Sequence, residues 1–438
     1  MRRVAEMALT ALFLIAFANL TLAQSTDPIG GEWLITRVNF GETIYHRITL
    51  KLESGKISGA FASGKKLEGT LQGNAIHFIA RDDFSIIECT ATLTGDTITG
   101  KFAETLSSDP KSVQESTITG TRIPAPRTAP PQRHEFKPTA FYREFSAALP
   151  PVLRIWPGDT VHTTTVDAGG SDERGIRRSL GGNPQTGPFY IETAFPGDTL
   201  AVHFTRIRLN RDYAISDDGI VDRALDSDLA VKLKDAGNPV RWRLDRERMV
   251  ATSERPGDHL KSFTVPLRPM LGCVATAPAR GAVPTGDSGF FGGNMDFNEI
   301  VEGVTVYLPV LRPGALLFVG DGHAAQGDGE LNGDALETSM DVEFTVQLIH
   351  KRRVNTPRVE SESQLMTVGL GGSIEDALRA AVGGMSQWLE QDYGLTPSEI
   401  AQVLGTSVQL NLNEVADRNA GVVAKLSKQR LAVLVKKQ

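Results

Sequence analysis

Gly286–Glu337 reads GDSGFFGGNMDFNEIVEGVTVYLPVLRPGALLFVGDGHAAQGDGELNGDALE. Two polar, glycine-rich segments flank an apolar run. The first is Gly292-Gly293-Asn294-Met295-Asp296 and the second runs from Gly320 to Glu330. Between them, Val304–Pro309 and Ala315–Val319 have the composition of buried strands, joined at Arg312-Pro313-Gly314. A hairpin of these two strands would carry both polar segments to one end of a sheet. Asp296, Asp321, His323, Asp328 and Glu330 would then share a small volume. Carboxylates packed together repel, and a cation is the natural compensation.

A catalytic zinc site takes about three ligands from His and Asp/Glu and leaves a position open. Histidine is scarce, with eight in the chain, and only His323 lies in a dense carboxylate and glycine cluster. His323 and Asp296 are the leading candidate ligands. Asp167 ends a strand before Gly169-Gly170 and is a third. His162, five residues earlier, points to the opposite face of a regular strand. Asp321 and Asp328 fit either a zinc site or a calcium-binding role. Zn2+ is therefore the expected cofactor, with Ca2+ as a second. A general base is offered by Glu330, or by Glu192 on the strand after Gly187-Pro188. Ser288 lacks the G-x-S-x-G context of a nucleophile, and Gly320–Gly329 lacks the lysine of a phosphate loop.

Outward from this stretch, 438 residues are too many for one small core. The 43 glycines and 23 prolines favour short strands and turns over long helices. A net charge of −6 argues against nucleic acid as a partner. Residues 1–23 read as a signal peptide: Arg2-Arg3, an apolar Ala8–Leu20, then Thr21-Leu22-Ala23. The expected mature chain begins at Gln24, is exported to a periplasmic or extracellular space, and has no membrane span. Cys89 and Cys273 fall in different predicted domains and read as buried hydrophobes.

Residues 29–122 have the pattern of a small all-β domain of about eight short strands, closing as a barrel or a sandwich. "LEGTLQGNAIHF" and "ATLTGDTITGKF" repeat one strand–turn–strand unit. Residues 123–138, rich in proline, read as a linker that leaves His134 solvated. Residues 139–438 form the larger domain. Pro-Gly-Asp-Thr occurs there twice, at Pro157 and Pro196. Asn210–Asp258 reads as an irregular insertion. Ser373–Glu390 reads as an amphipathic helix, Thr396-Pro397 opens a second, Val408–Leu412 is a strand, and Val422–Val435 a terminal basic helix or tail. The fold class is mainly β with a few C-terminal helices, a β-rich α+β protein.

The segments "GGNMD", "VYLPV", "GALLFVGDGHAAQGDGE", "PGDTVHTTTVDAGG" and "GPFYIETAFPGDTLAVHF" resemble the acetamidase/formamidase family. The likeness covers most of residues 150–350 and extends faintly through "LNLNEVADRNAGVVAKLSK"; residues 29–122 lie outside it. The resemblance implies a β-sandwich-type catalytic domain, zinc and sometimes calcium, homo-oligomers, and a small linear amide as substrate, hydrolysed to carboxylate and ammonia. Asp167, Glu192, Asn294, Asp296, His323, Asp328 and Glu330 fall in matching motifs, with Asn294 a candidate to hold an oxyanion. The competing expectation is an exported, non-enzymatic binding protein whose cluster holds a structural cation.

Overall fold

The computed structural model describes residues 27–434. The expected signal peptide lies outside these residues. The chain divides into two compact units between Ile123 and Pro124. No helix among the described residues is long and apolar enough to cross a membrane.

The first unit is a closed eight-stranded antiparallel barrel, from Gly31–Asn39 to Asp109–Arg122, in which each strand pairs with the next and the first pairs with the last. Strict alternation in Ser85–Thr94 sends every second residue inward. The repeated turns at Gly73-Asn74 and Gly95-Asp96 place their glycines in the left-handed region, which matches strand twist at a tight turn. Trp33, Phe61, Phe78 and Phe102 fill the interior.

One end of that interior is polar. Arg37 pairs with Glu104 at 2.8 Å, and Lys65 donates to Ser85 Oγ at 2.6 Å. His46 sits edge-on to Phe61, and its Nε2 is buried with no hydrogen bond.

The second unit packs an eleven-stranded sheet against a nine-stranded one. Leu271, Val274, Leu317 and Val319 of the first meet Val202, Phe204, Val306, Leu308 and Phe344 of the second in one core. Fully buried runs such as Leu317–His323 follow from being covered on both faces. Helix Ile374–Tyr393 lies on the outer face of the nine-stranded sheet. Its Ala377, Ala381, Met385 and Trp388 pack on Leu365, Val422 and Ala424, whereas Met366, Val368 and Val423 turn inward to the sandwich core. Ser373 caps this helix, and Thr396 with Glu399 forms a capping box on the next, Pro397–Ser407.

Four expectations change. Thr305–Pro309 and Leu317–His323 are not a hairpin: the first pairs with Thr199–Leu209 and Arg358–Glu360 in one sheet, the second with Met270–Ala275 in the other. Both are covered on two faces: Val306 and Leu308, like Leu317 and Val319, line the common core, while Tyr307 packs against Trp388 and Phe318 against Phe145, so composition did not reveal that the connection crosses between sheets. Asn210–Asp258 is not irregular; Tyr213–Asp217, Pro239–Asp245 and Val250–Ser253 extend the eleven-stranded sheet. The terminal helix is a strand, Ala420–Ser427, followed by a single turn, Lys428–Leu431. Within the proline-rich segment, Arg133–Glu135 adds an edge strand beside Thr160–Thr164. His134 there is not solvated, since it meets Asp159 at 3.2 Å. Asp159 and Asp198 of the two Pro-Gly-Asp-Thr turns accept alike from the backbone three residues upstream.

Burial, and then the Arg37 charge, push the His46 pKa down to about 4 from 6.5. The folded state therefore holds His46 neutral. Between pH 6.5 and 4 the unfolded chain binds a proton that the barrel does not, and stability falls with pH by about 3 kcal/mol across that window. The ring resonance of His46 is expected to titrate near pH 4 by NMR. A midpoint near 6.5 would show that the ring is not sealed in the barrel.

Candidate metal centre

The central strand Met270–Ala275 builds the site. It pairs antiparallel with Gly292–Asn294 on one side and with Leu317–His323 on the other. Cys273 stands opposite both Asn294 and Gly320, and Met270 opposite His323. The two polar segments thus meet across a third strand. Gly272 lies under the junction. A Cβ there would sit 2.3 Å from both Asp296 Oδ1 and Asp321 Oδ2, so only glycine lets the carboxylates close over the strand.

Three overlapping groups of buried side chains are close enough to hold a cation: Asp296, Asp321 and His323; His323, Glu330 and Glu337; Asp296, Glu330 and Glu414. His323 Nε2 lies 3.1 Å from Glu337 and 3.3 Å from Asp321. Asp296, Asp321 and Glu330 all have left-handed backbone, with φ of +42°, +57° and +48°. That conformation costs about 1–3 kcal/mol per non-glycine residue and persists where the surroundings enforce it.

The protonation of His323 follows from its neighbours. Gln326 Nε2 donates to the backbone oxygens of Asp296 (2.6 Å) and Asn413 (3.3 Å). This fixes the amide, so Gln326 Oε1 is an acceptor for His323 Nδ1 at 2.9 Å. Nδ1 therefore carries a proton. Nε2 faces carboxylates without a hydrogen bond, and Asp296 Oδ1, Asp321 Oδ1 and Glu414 Oε2 are likewise buried without partners. Unpartnered buried polar atoms converging on one place fit a bound cation.

The charge balance agrees. Burial, reinforced by Glu330 and Asp321, raises Asp296 well above the usual carboxylate range. Burial likewise raises Glu330, outweighing the opposing pull of His323. Glu337 is pushed up to about 8 by burial and Asp321, and Asp417 to about 7 by burial and Glu414. Burial pulls the His323 imidazolium down, but Glu337 and Asp321 push it up further.

The expected residues divide. His323, Asp296, Asp321 and Glu330 come together. Asn294 lines the same cavity, of about 790 Å³. However, its Nδ2 donates to Asp296 (2.6 Å) and Asp417 (2.8 Å), so it orients carboxylates and has no proton free for an oxyanion. Asp167 also lines the cavity but is tied to Arg211 at 2.7 Å. Asp328 is exposed and accepts from Asn298 and Asn411. Glu192 is paired with Arg154 at 2.7 Å, beside Ile191, which bonds Gly314. The strand Leu317–His323 spans roughly 20 Å at about 3.3 Å per residue, and Glu192 lies beyond its Leu317 end, far from His323. Ser288 Oγ is buried with no hydrogen bond.

Glu337, Glu414 and Asp417 are functional candidates that sequence reasoning passed over. Glu414 is the last residue of the edge strand Gln409–Glu414 of the other sheet, and Asp417 follows three residues later. Their one signal was the run Asn411-x-Asn413-Glu414, whose polar residues are too many for a buried strand without a polar neighbour.

A model of the Acetamidase/Formamidase family matches residues 280–422. An acetamidase from Yersinia enterocolitica is 30% identical, with 69% of this chain and 94% of that chain covered and a TM-score of 0.60. A predicted acetamidase/formamidase from Thermoanaerobacter tengcongensis, 24% identical over 69% of this chain and 98% of that one, shares the fold at a TM-score of 0.59. A curated Schizosaccharomyces pombe protein, named provisionally as a formamidase, is 51% identical over 41 residues, 9% of this chain. The chain spans only a tenth of that relative's length. With the Yersinia acetamidase covered almost end to end and the family model falling on the segment that builds the carboxylate cluster, the chain belongs to the acetamidase/formamidase family.

Proposed function

We propose that this protein hydrolyses the C–N bond of a small linear, non-peptide amide to carboxylate and ammonia, using a divalent cation held by the buried cluster. The observation that carries the reading is His323: an imidazole whose Nδ1 proton is fixed by Gln326, with its buried Nε2 aimed at the carboxylates of Glu337 and Asp321. The relatives named as acetamidases and formamidases support the reaction class. The His323, Asp296 and Asp321 corner suits zinc, and the all-oxygen Asp296, Glu330 and Glu414 corner suits a harder ion such as calcium. When bound, such a cation supplies Lewis acidity toward the amide carbonyl and makes water more acidic.

The chain's own residues do the rest. Glu330 belongs to the all-oxygen corner and also groups with His323 and Glu337, and its pKa is raised, which suits a carboxylate that takes a proton from water and returns it to the departing nitrogen. Asn183 and Asn294 are hydrogen-bonded to each other, and Asn294 holds Asp296 and Asp417 in place. The cavity walls carry Arg177, the side chain suited to attract a carboxylate product. Glu192 has no part in this scheme. We also propose export, on the character of residues 1–23; the amino-terminal residue of protein recovered outside the cytoplasm should be Gln24.

Two further results are expected. Gln326→Leu frees the His323 tautomer, and Gly272→Ala displaces Asp296 and Asp321. Each should lower metal affinity by about 10–100-fold, read by metal analysis after dialysis; full retention of metal by both would count against this cluster. Ammonia release from formamide, acetamide and propionamide should stop on chelation and return with zinc. In metal-replete protein, Glu330→Gln should slow turnover by about 100-fold or more, with Glu192→Gln near wild type. Full activity of Glu330→Gln would end the proposed proton role.

A further inference from the structure

On the outer face of the nine-stranded sheet, Arg358 is sealed under helix Ile374–Tyr393. It belongs to the strand Arg358–Glu360, between Tyr307 and Thr367, and is 3% exposed. Its guanidinium lies 4.9 Å over the Trp388 ring. Both of its hydrogen bonds among the described residues leave from Nη2, to Gln387 Oε1 (3.0 Å) and Gln391 Oε1 (2.9 Å). Nε is buried with no acceptor.

No carboxylate among the described residues pairs with it. Asp392 is taken by Arg352 and receives Trp388 Nε1 at 3.0 Å. Glu360 is taken by Lys428 at 2.6 Å and by the Tyr307 hydroxyl at 2.7 Å. Burial, and then the charge of Arg352, lower the Arg358 pKa to about 9 from 12.5. A guanidinium keeps its proton essentially always, and burying one without a counter-charge is strongly unfavourable.

The side chain borders a cavity of about 230 Å³, shared with Arg352, Tyr307, Trp388, Thr199 and Val354. Two guanidiniums border it, one of them with an idle buried N–H, and guanidiniums are the groups that recognise carboxylate and phosphate oxygens. The volume and the acids Glu360 and Asp392 in the wall exclude a large or highly charged anion. We propose that this cavity is a binding site for a small oxyanion, held by Arg358 with Arg352 beside it. The site lies on the helix-covered side of the nine-stranded sheet, whereas His323 lies in the other sheet. It stands whether or not the amidase reading does.

The test is calorimetric titration of the full chain with sodium phosphate, acetate and formate at an ionic strength held constant with chloride. One saturable site per chain is expected for at least one of the three, and it should persist after chelation, which separates it from the metal centre. Arg358→Gln and Arg352→Gln should each weaken binding at least tenfold. The wild-type protein should change its tryptophan fluorescence on binding, and Trp388→Phe should not. If Arg358→Gln does not fold, the chelated wild type, Arg352→Gln and Trp388→Phe decide. No saturable binding of any of the three anions, or binding that is unchanged in the arginine variants, would overturn the proposal.

Discussion

Asp296, Asp321, Glu330, Glu337 and Glu414 are buried around a single imidazole, in surroundings far less polar than water. In such a medium like charges repel far more strongly than in water, and an unpaired charge is costly. Protonation of some of these groups relieves part of the repulsion, as their raised pKa values indicate. Asp296 Oδ1, Asp321 Oδ1 and His323 Nε2 remain buried without a hydrogen bond among the described residues. A cation would satisfy both conditions at once, and several features of the second unit hold these side chains in position.

The fold does this by layering constraints on short elements. Met270–Ala275 sets the register of the two segments that carry the carboxylates. Gly272 removes the side chain that would otherwise occupy the place where they meet. The left-handed backbone at Asp296, Asp321 and Glu330 turns each side chain out of the strand or loop alternation and toward the same point. Beyond them, Gln326 fixes a ring tautomer while bonding the backbone of two separate segments. The pieces lie in different sheets, so the two-layer core that joins the sheets is also what maintains the geometry of the site.

The sequence disclosed the part of this that is local. His323, Asp321 and Glu330 lie within ten residues, and Asp296 sits in a matching glycine-rich segment, so density alone marked them. The eight barrel strands were legible because alternation and Gly-Asn or Gly-Asp turns repeat in step. Partnership between sheets was not legible. Val304–Pro309 and Ala315–Val319 look like a hairpin because burial on all sides erases the distinction between neighbours in one sheet and neighbours across a core. Asp328 and Glu192 had the right residue type in the right neighbourhood, yet a turn exposes the first, and the second sits at the far end of the strands and pairs with Arg154. Glu414 and Asp417 were missed for the opposite reason: they lie more than eighty residues from Glu330 in sequence and arrive only through the edge of the other sheet.

Other buried charges in the chain show what a purely structural solution looks like. Arg211 faces Asp167, and the oxygens of Tyr213, Thr338 and Glu337 take its remaining protons. Such pairs are complete in themselves, and burial leaves little reason to infer a ligand. At the His323 cluster the surplus is negative and the idle atoms are lone pairs. At Arg358 the surplus is positive and the idle atom is an N–H. The same criterion identifies both places, with opposite sign: a buried charge whose hydrogen-bonding capacity the chain leaves open. By that criterion the two imbalances call for opposite ligands, a cation in one sheet and an oxyanion on the covered face of the other. The polypeptide is built around both without neutralising either.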